Sequence, residues 1–215
     1  MLGLNVATLV ARAIVLLVAF TIHELAHAVS ADYLGDPTPR RQGRITLNPL
    51  AHLDPFGTIM LLVSGFGWAK PVMVNPLNMR GNPRSSMALV AAAGPFSNVV
   101  MAILFALPFR MGLLEPTFSS SGAFPSPSFL FMQFVLINLV LAFFNMIPVP
   151  PLDGFKILQG VLPSEMAYRL RPLEQYGFLI LLALIVLLPR VGLDVLGLLV
   201  WQPTMRVLGL LIGIG

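Results

Sequence analysis

Long apolar segments, most of them at least about as long as a lipid bilayer requires, constrain this sequence more than any other feature. A transmembrane α-helix needs about 20 apolar residues. Only 10% of the 215 residues are charged, whereas a water-soluble domain carries about 25%, so the charges are too few to cover a surface that faces water. We therefore predict an α-helical integral membrane protein with four or five transmembrane helices, in a single domain over residues 1–215. The predicted spans are residues 4–34, 87–109, 129–152, 176–188 and 193–214. The last is interrupted by Gln202-Pro203 and could instead be a bent span, a re-entrant piece or a surface helix.

The connection between the first two spans, residues 36–86, has a different composition. It is rich in Pro, Gly and Asn, and residues 43–47 and 69–74 alternate between apolar and polar as edge strands do. The apolar stretch 56–66 is too short to cross a membrane, and suits a re-entrant element buried in protein. These patterns predict a short β-rich or re-entrant segment after the first span.

The basic residues indicate how the chain is oriented. The net charge is +4, but the basic residues are sparse and lie between apolar runs, which favours the positive-inside rule over nucleic-acid binding. The second connection holds only Arg110, while the first and third hold nine basic residues between them: Arg40, Arg41, Arg44, Lys70, Arg80, Arg84, Lys156, Arg169 and Arg171. The first and third connections are therefore predicted to be cytoplasmic, with the N-terminus outside. Arg12 lies within the first span and either reaches toward the membrane surface or faces protein.

The first span ends in a motif with metal-binding spacing, His23-Glu24-Leu25-Ala26-His27. Two histidines four residues apart on a helix lie one turn apart on one face and can share a metal ion. Glu24 beside them can take a proton from a water molecule. Ionisable residues within a membrane helix are costly and usually functional, although a polar helix end that simply meets water would also contain such residues. Because the chain has no cysteine, any zinc must be bound by His, Asp or Glu.

A third metal ligand is sought because a catalytic zinc usually keeps three protein ligands and one open position. Asp153 follows the prolines of residues 148–151 at the predicted cytoplasmic end of the third span, at the depth of the two histidines. Glu115 falls on the opposite side, and Asp32 and Asp36 fit better as the polar end of the first helix. Topology thus favours Asp153, with a turn or helix-cap role as the alternative.

Four segments together resemble the site-2 protease family of intramembrane zinc metalloproteases, peptidase family M50. The resemblance extends over residues 15 to 185, and Phe155 stands where many members have a second glycine after the Leu-Asp-Gly motif. The matching segments are residues 23–27, Asn48 to Pro55 with Gly57, Gly94 to Asn98, and Asn145 to Gly154.

This resemblance implies one zinc ion per chain held by His23, His27 and Asp153, with Glu24 as the general base. The implied activity is hydrolysis of peptide bonds in or near the transmembrane segments of membrane proteins, by a minimal, core-only member of the family. Its partners would be a transmembrane substrate and the lipid bilayer, without nucleic acid, and its active site would face the cytoplasmic side of a multi-pass cell-membrane protein. Two alternatives are a non-catalytic relative that binds membrane clients, which would not need Glu24, and a metal transporter, which would usually show repeats.

The resemblance also suggests residues that could contact the substrate. Asn145 matches an asparagine that helps to hold the substrate or the oxyanion, and could instead cap the end of the helix. His52 and Asn48 could line the cavity, bind substrate or be structural. Gly94-Pro95, with Ser97 and Asn98, is predicted to pack the second span against the helices of the site, with direct substrate contact as the alternative. An edge strand within residues 44–75 could bind an extended substrate by β-addition.

Overall fold

The computed structural model describes residues 5–57, 67–120, 122 and 124–213, and in these ranges the chain is mainly helical. The helix over Ser164–Arg190 contains a 3₁₀ segment (Arg171–Tyr176) and a π-helical segment (Ala183–Leu187), and the helix over Gly197–Ile212 begins with a π-helical segment (Gly197–Trp201). The helices are α1 (Val6–Tyr33), α2 (Thr38–Arg41), α3 (Pro83–Arg110), α4 (Pro127–Asn145), α5 (Asp153–Val161), α6 (Ser164–Arg190) and α7 (Gly197–Ile212).

Four of these helices, α1, α3, α4 and α6, are long and apolar enough to cross a membrane. This confirms the helical membrane architecture, with different bounds for two spans. Helix α4 ends at Asn145 rather than at residue 152, because the prolines of residues 148–151 cannot continue a helix. Helix α6 begins at Ser164, twelve residues before the predicted span. The apolar helix α7 is shorter than the other four.

The prediction of a β-rich segment after the first span is wrong for the part of residues 36–86 that the structure describes. There the pairing is a single isolated bridge between Leu53 and Ala69. The Asn48 and Asn75 side chains instead accept hydrogen bonds that begin two 3₁₀ turns, each with a proline at its start. Such asparagine and proline chemistry favours turns over a strand ladder. Most of the predicted re-entrant stretch 56–66 lies outside the described residues.

A row of small side chains on α1 brings the long helices close together. The row repeats every four residues through Ala7, Ala11, Val15 and Ala19, and each of these side chains is 0% exposed. Small residues let helices approach closely in a membrane, where packing rather than hydrophobicity drives association. Helices α3 and α4 share a core with α7, formed by Ala102, Ala106, Phe109, Met132, Val135, Leu139, Leu208 and Ile212.

The connection after α1 is fixed by Asp36, which is 0% exposed. Its Oδ1 accepts hydrogen bonds from the backbone and hydroxyl of Thr38 and from Asn78 Nδ2, and its Oδ2 accepts from the Asn75 amide at 2.7 Å. The end of α1 is thereby tied to the second 3₁₀ turn, forty residues further along the chain.

Candidate metal centre

Two elements bring the three predicted ligands together. His23 and His27 continue the buried row of α1, and are 7% and 8% exposed. Asp153 is the first residue of α5, after the turn that follows α4. That turn needs Gly154, because a Cβ there would lie 2.3 Å from the Met146 carbonyl oxygen. The turn therefore packs tightly enough to direct Asp153 back toward α1.

The three ligand atoms are spaced as a tetrahedral metal ion requires. His23 Nε2 lies 3.0 Å from His27 Nε2, and Asp153 Oδ2 lies 3.2 and 3.3 Å from these two nitrogens. Ligand bonds of about 2.0–2.1 Å at tetrahedral angles separate ligand atoms by about 3.3 Å. Two imidazole nitrogens and one carboxylate oxygen are ligands that zinc accepts, and three protein ligands leave a position open. The donor set thus fits a catalytic zinc ion.

Hydrogen bonds that the two imidazoles donate to oxygen atoms of α3 hold both rings in the orientation needed for metal binding. His27 Nδ1 lies 2.7 Å from the Val90 carbonyl oxygen, which only accepts. His23 Nδ1 lies 2.6 Å from Asn98 Oδ1, and Asn98 Nδ2 donates to Asn138 Oδ1 at 2.8 Å. Each Nδ1 must therefore carry the proton, which leaves both Nε2 lone pairs free to bind a cation. Partners of this kind fix the tautomer and the ring orientation of metal-binding histidines.

Gly94 allows α3 to approach the two imidazoles. A Cβ at this position would lie 2.4 Å from His27 Nε2 and 2.6 Å from His23 Nε2. Together with the Asn98 hydrogen bond, this close approach confirms the prediction that Gly94 and Asn98 pack the second span against the helices of the site.

The carboxylate of Glu24 is held by a segment distant in sequence. Its Oε2 accepts a hydrogen bond from the Val72 amide at 3.0 Å. The carbonyl of the same peptide bond, at Pro71, accepts from Arg44 at 2.6 Å, and Arg44 also donates to the Lys70 and Ala51 carbonyls. Arg44 is 5% exposed. Its guanidinium thus fixes the plane of the peptide whose N–H group orients Glu24.

A cavity of about 700 Å³ opens beside this centre. Of the three residues predicted to contact the substrate, one lines this cavity and two do not. Asn145 lines the cavity together with Glu24 and the three ligands, and its Nδ2 donates to the Leu141 carbonyl. His52 and Asn48 lie away from the cavity lining. The His52 ring is 0% exposed with Nε2 2.9 Å from the Thr46 carbonyl oxygen, and the Asn48 Oδ1 accepts from the Leu50 amide.

Sequence reasoning missed Asn138, Arg44 and the Val72 amide. Asn138 had a detectable signal, since a polar residue in the middle of an apolar span usually hydrogen-bonds across helices. Arg44 was noted only as a loop charge. Val72 had no signal, because its contribution comes from the backbone.

Comparisons with known proteins agree with this chemistry. The model of peptidase family M50 matches residues 112–188. YwhC of Bacillus subtilis, named as a zinc metalloprotease, is 44% identical over 177 residues, which cover 80% of this chain and 78% of that protein. Rip2 of Mycolicibacterium smegmatis, also named as a zinc metalloprotease, is 29% identical over 79% of this chain and 64% of its own length. A zinc metalloprotease of Methanocaldococcus jannaschii, so named, is 32% identical over 65% of this chain. No solved structure gives a significant match.

Proposed function

The chain belongs to peptidase family M50 and is an intramembrane zinc metalloprotease, and we propose that His23, His27 and Asp153 hold its zinc ion while Glu24 acts as the general base. One observation carries this assignment of roles: two imidazole lone pairs and a carboxylate oxygen converge within 3.3 Å of one another, beside a carboxylate that faces the same cavity. The proposed substrates are membrane proteins cleaved in or near their transmembrane segments.

The zinc ion, when bound, supplies Lewis-acid chemistry, which polarises a peptide carbonyl and makes a water molecule more acidic. Glu24 takes a proton from the attacking water and passes it to the leaving amine nitrogen, as a general base and then a general acid. The Val72 amide fixes one carboxylate oxygen of Glu24, so the other is available for this proton. Asn145 lines the same cavity and can donate to the carbonyl oxygen as negative charge develops on it.

The segment around Val72 also supports the proposal that substrate enters as an extended chain. Ala69, Pro71, Val72 and Val74 line the cavity, so a substrate segment would lie along this backbone. Binding of the substrate by β-addition to residues 44–75 stays a prediction, and crosslinks from a trapped substrate that never reach this segment would exclude it.

We also propose that the metal centre lies toward the cytoplasmic side. The support is the distribution of basic residues, because nine of the 13 lie in the first and third predicted connections, and positive charge favours the cytoplasm. The single domain over residues 1–215 is likewise a prediction.

The metal content of the detergent-purified protein tests these roles without knowledge of the substrate. We expect about one zinc ion per chain in the wild type and in Glu24→Gln, and loss of zinc in Asp153→Ala, because a ligand is removed only in the latter. Cleavage of membrane peptides should disappear in both variants. Zinc retained in Asp153→Ala would move the third ligand elsewhere. Zinc absent from all samples, even after zinc is supplied, would exclude the catalytic centre.

A further inference from the structure

Arg12 lies on the helix row that leads to the general base. On α1, the residues Arg12, Leu16, Phe20 and Glu24 follow one another at intervals of four, and all of them line the cavity beside the metal centre. A charged side chain within a membrane helix is costly, and such residues usually face a cavity and serve a function. The cavity therefore carries a cation at one end of this row and the Glu24 carboxylate at the other.

The guanidinium of Arg12 makes no polar contact within the part of the chain that the structure describes. Among the residues that the structure describes, it takes part in no ion pair or hydrogen bond. Arg40, by contrast, pairs with Asp32, and Arg44 is bonded to backbone carbonyls. Arg12 thus lines the cavity without a carboxylate partner among the described residues.

A second polar group lines the cavity from α4. Gln133 of α4 lines it, is only 6% exposed, and forms no hydrogen bond through its side chain to any described residue. It precedes Asn138 by five residues, which is about 7.5 Å along the helix, and Asn138 is linked through Asn98 to His23. The neighbouring wall residues Leu136 and Ile137 are apolar. The Gln133 amide opens onto the cavity rather than being sealed off from it, so it is available to an occupant that supplies polar groups.

We infer that Arg12 forms a subsite for a carboxylate of the substrate, an Asp or Glu side chain on the substrate segment, with Gln133 as a hydrogen-bonding contact between this subsite and the metal centre. The inference rests on the proposed function, because the cavity is continuous with the proposed catalytic residues. A guanidinium pairs with a carboxylate through two parallel hydrogen bonds. An acidic side chain in a membrane segment is itself costly without a partner, so Arg12 would select substrates that carry one.

The spacing on α1 gives the position of the acidic residue. Arg12 precedes Glu24 by twelve residues, which is about 18 Å along the helix. An extended chain advances about 3.3 Å per residue. The acidic residue should therefore lie about five residues from the bond that is cut.

Synthetic transmembrane peptides test this inference. Each peptide has the same apolar core with varied central sequence and one Asp or Asn placed at successive positions, and mass spectrometry identifies the cleavage products. Zinc-loaded wild type is compared with Arg12→Gln, Arg12→Lys and Arg12→Glu. Arg190→Gln serves as the matched control, because Arg190 is exposed at the end of α6 and away from the cavity. Equal zinc content shows that each variant has folded around its metal centre.

We expect the wild type and Arg190→Gln to cleave peptides with Asp about five residues from the cut at least about tenfold faster than their Asn counterparts. Arg12→Gln should lose this preference, Arg12→Lys should keep part of it, and Arg12→Glu should prefer Lys at the same position. A wild type without the preference, or a preference that persists in Arg12→Gln, would overturn the subsite while leaving the protease intact. Absence of cleavage by every sample, wild type included, would instead overturn the proposed function and the subsite with it.

Discussion

Replacing Gly94 by alanine should weaken zinc binding strongly without unfolding the protein. The added Cβ would lie 2.4 Å from His27 Nε2 and 2.6 Å from His23 Nε2, whereas non-bonded atoms need about 3.5 Å. Each ring nitrogen must therefore move by about 1 Å, several times the roughly 0.2 Å that a metal–ligand distance tolerates. The imidazoles are the ends of side chains and can turn away, so the strain displaces the ligands rather than the helices.

The size of the effect follows from this displacement. Losing an outer partner of a zinc ligand already weakens binding about 10- to 100-fold, so displacing both imidazoles should cost at least about 100-fold, or roughly 2.7 kcal/mol. Alanine in a helix interior is more favourable than glycine by about 0.5–1 kcal/mol, which offsets part of the steric strain on folding. Zinc affinity is measured by competition with a chelator on detergent-purified protein, and folding by thermal unfolding of the metal-free form.

Gly160→Ala is the matched control for this prediction. Its Cβ would lie 2.3 Å from the Ala88 Cβ, so the clash is as severe, but it falls between α5 and α3 rather than at the ligands. We expect this variant to be less stable and to bind zinc normally. Wild-type zinc affinity in Gly94→Ala would refute the reasoning. An equal loss of zinc affinity in both variants would mean that the effect is a general packing defect rather than a displacement of the ligands.

Three further predictions concern the residues that support the centre. Asn98→Ala removes the acceptor of His23 Nδ1 and should weaken zinc binding about 10- to 100-fold, as chelator competition would measure; unchanged affinity would contradict it. Arg44→Gln cannot bond all the carbonyls that fix the peptide held against Glu24, so cleavage should fall at least about tenfold with zinc content unchanged, and loss of zinc would indicate a broader defect. Burial raises the pKa of Asp36, but hydrogen bonds from Thr38 and other donors outweigh it and lower the pKa overall. The stability this gives is present above the unfolded pKa, about 3.9, and is lost as pH falls below it; thermal unfolding between pH 3 and 6 should show this loss in the wild type and much less of it in Asp36→Asn.

The parts of the fold that the sequence predicted are those set by local rules. Apolar runs of bilayer length predicted the long helices, and a spacing of four placed His23 and His27 on one helix face. The prediction of a β-rich segment failed because an alternating pattern over five or six residues forms a strand only when a partner strand lies beside it. The flanking asparagines satisfy the backbone through turns instead.

The hydrogen bonds that support the metal centre could not be predicted in the same way, because they join residues that are distant in sequence. Asn98 lies 75 residues from His23, and the Val72 amide lies 48 residues from Glu24. Topology and the resemblance could favour Asp153 as a ligand, because both indicate that the ends of the first and third spans lie close together. Neither could indicate that the buried guanidinium of Arg44 fixes the plane of the peptide whose N–H group faces Glu24.

The arrangement of α1 explains why ligands and base occupy adjacent positions in one motif. Successive residues on a helix are rotated by about 100°, so Glu24 falls on a different row from its neighbour His23. The row of His23 and His27 is the packed one, where α3 approaches closely enough to fix both imidazoles. The row of Glu24 lines the cavity and extends back to Arg12. Ligands must be held rigidly while the base must reach the substrate. One helix meets both needs because the ligand row is packed along its length and meets the cavity only at His23 and His27, whereas the row of Glu24 lines the cavity from Arg12 onward.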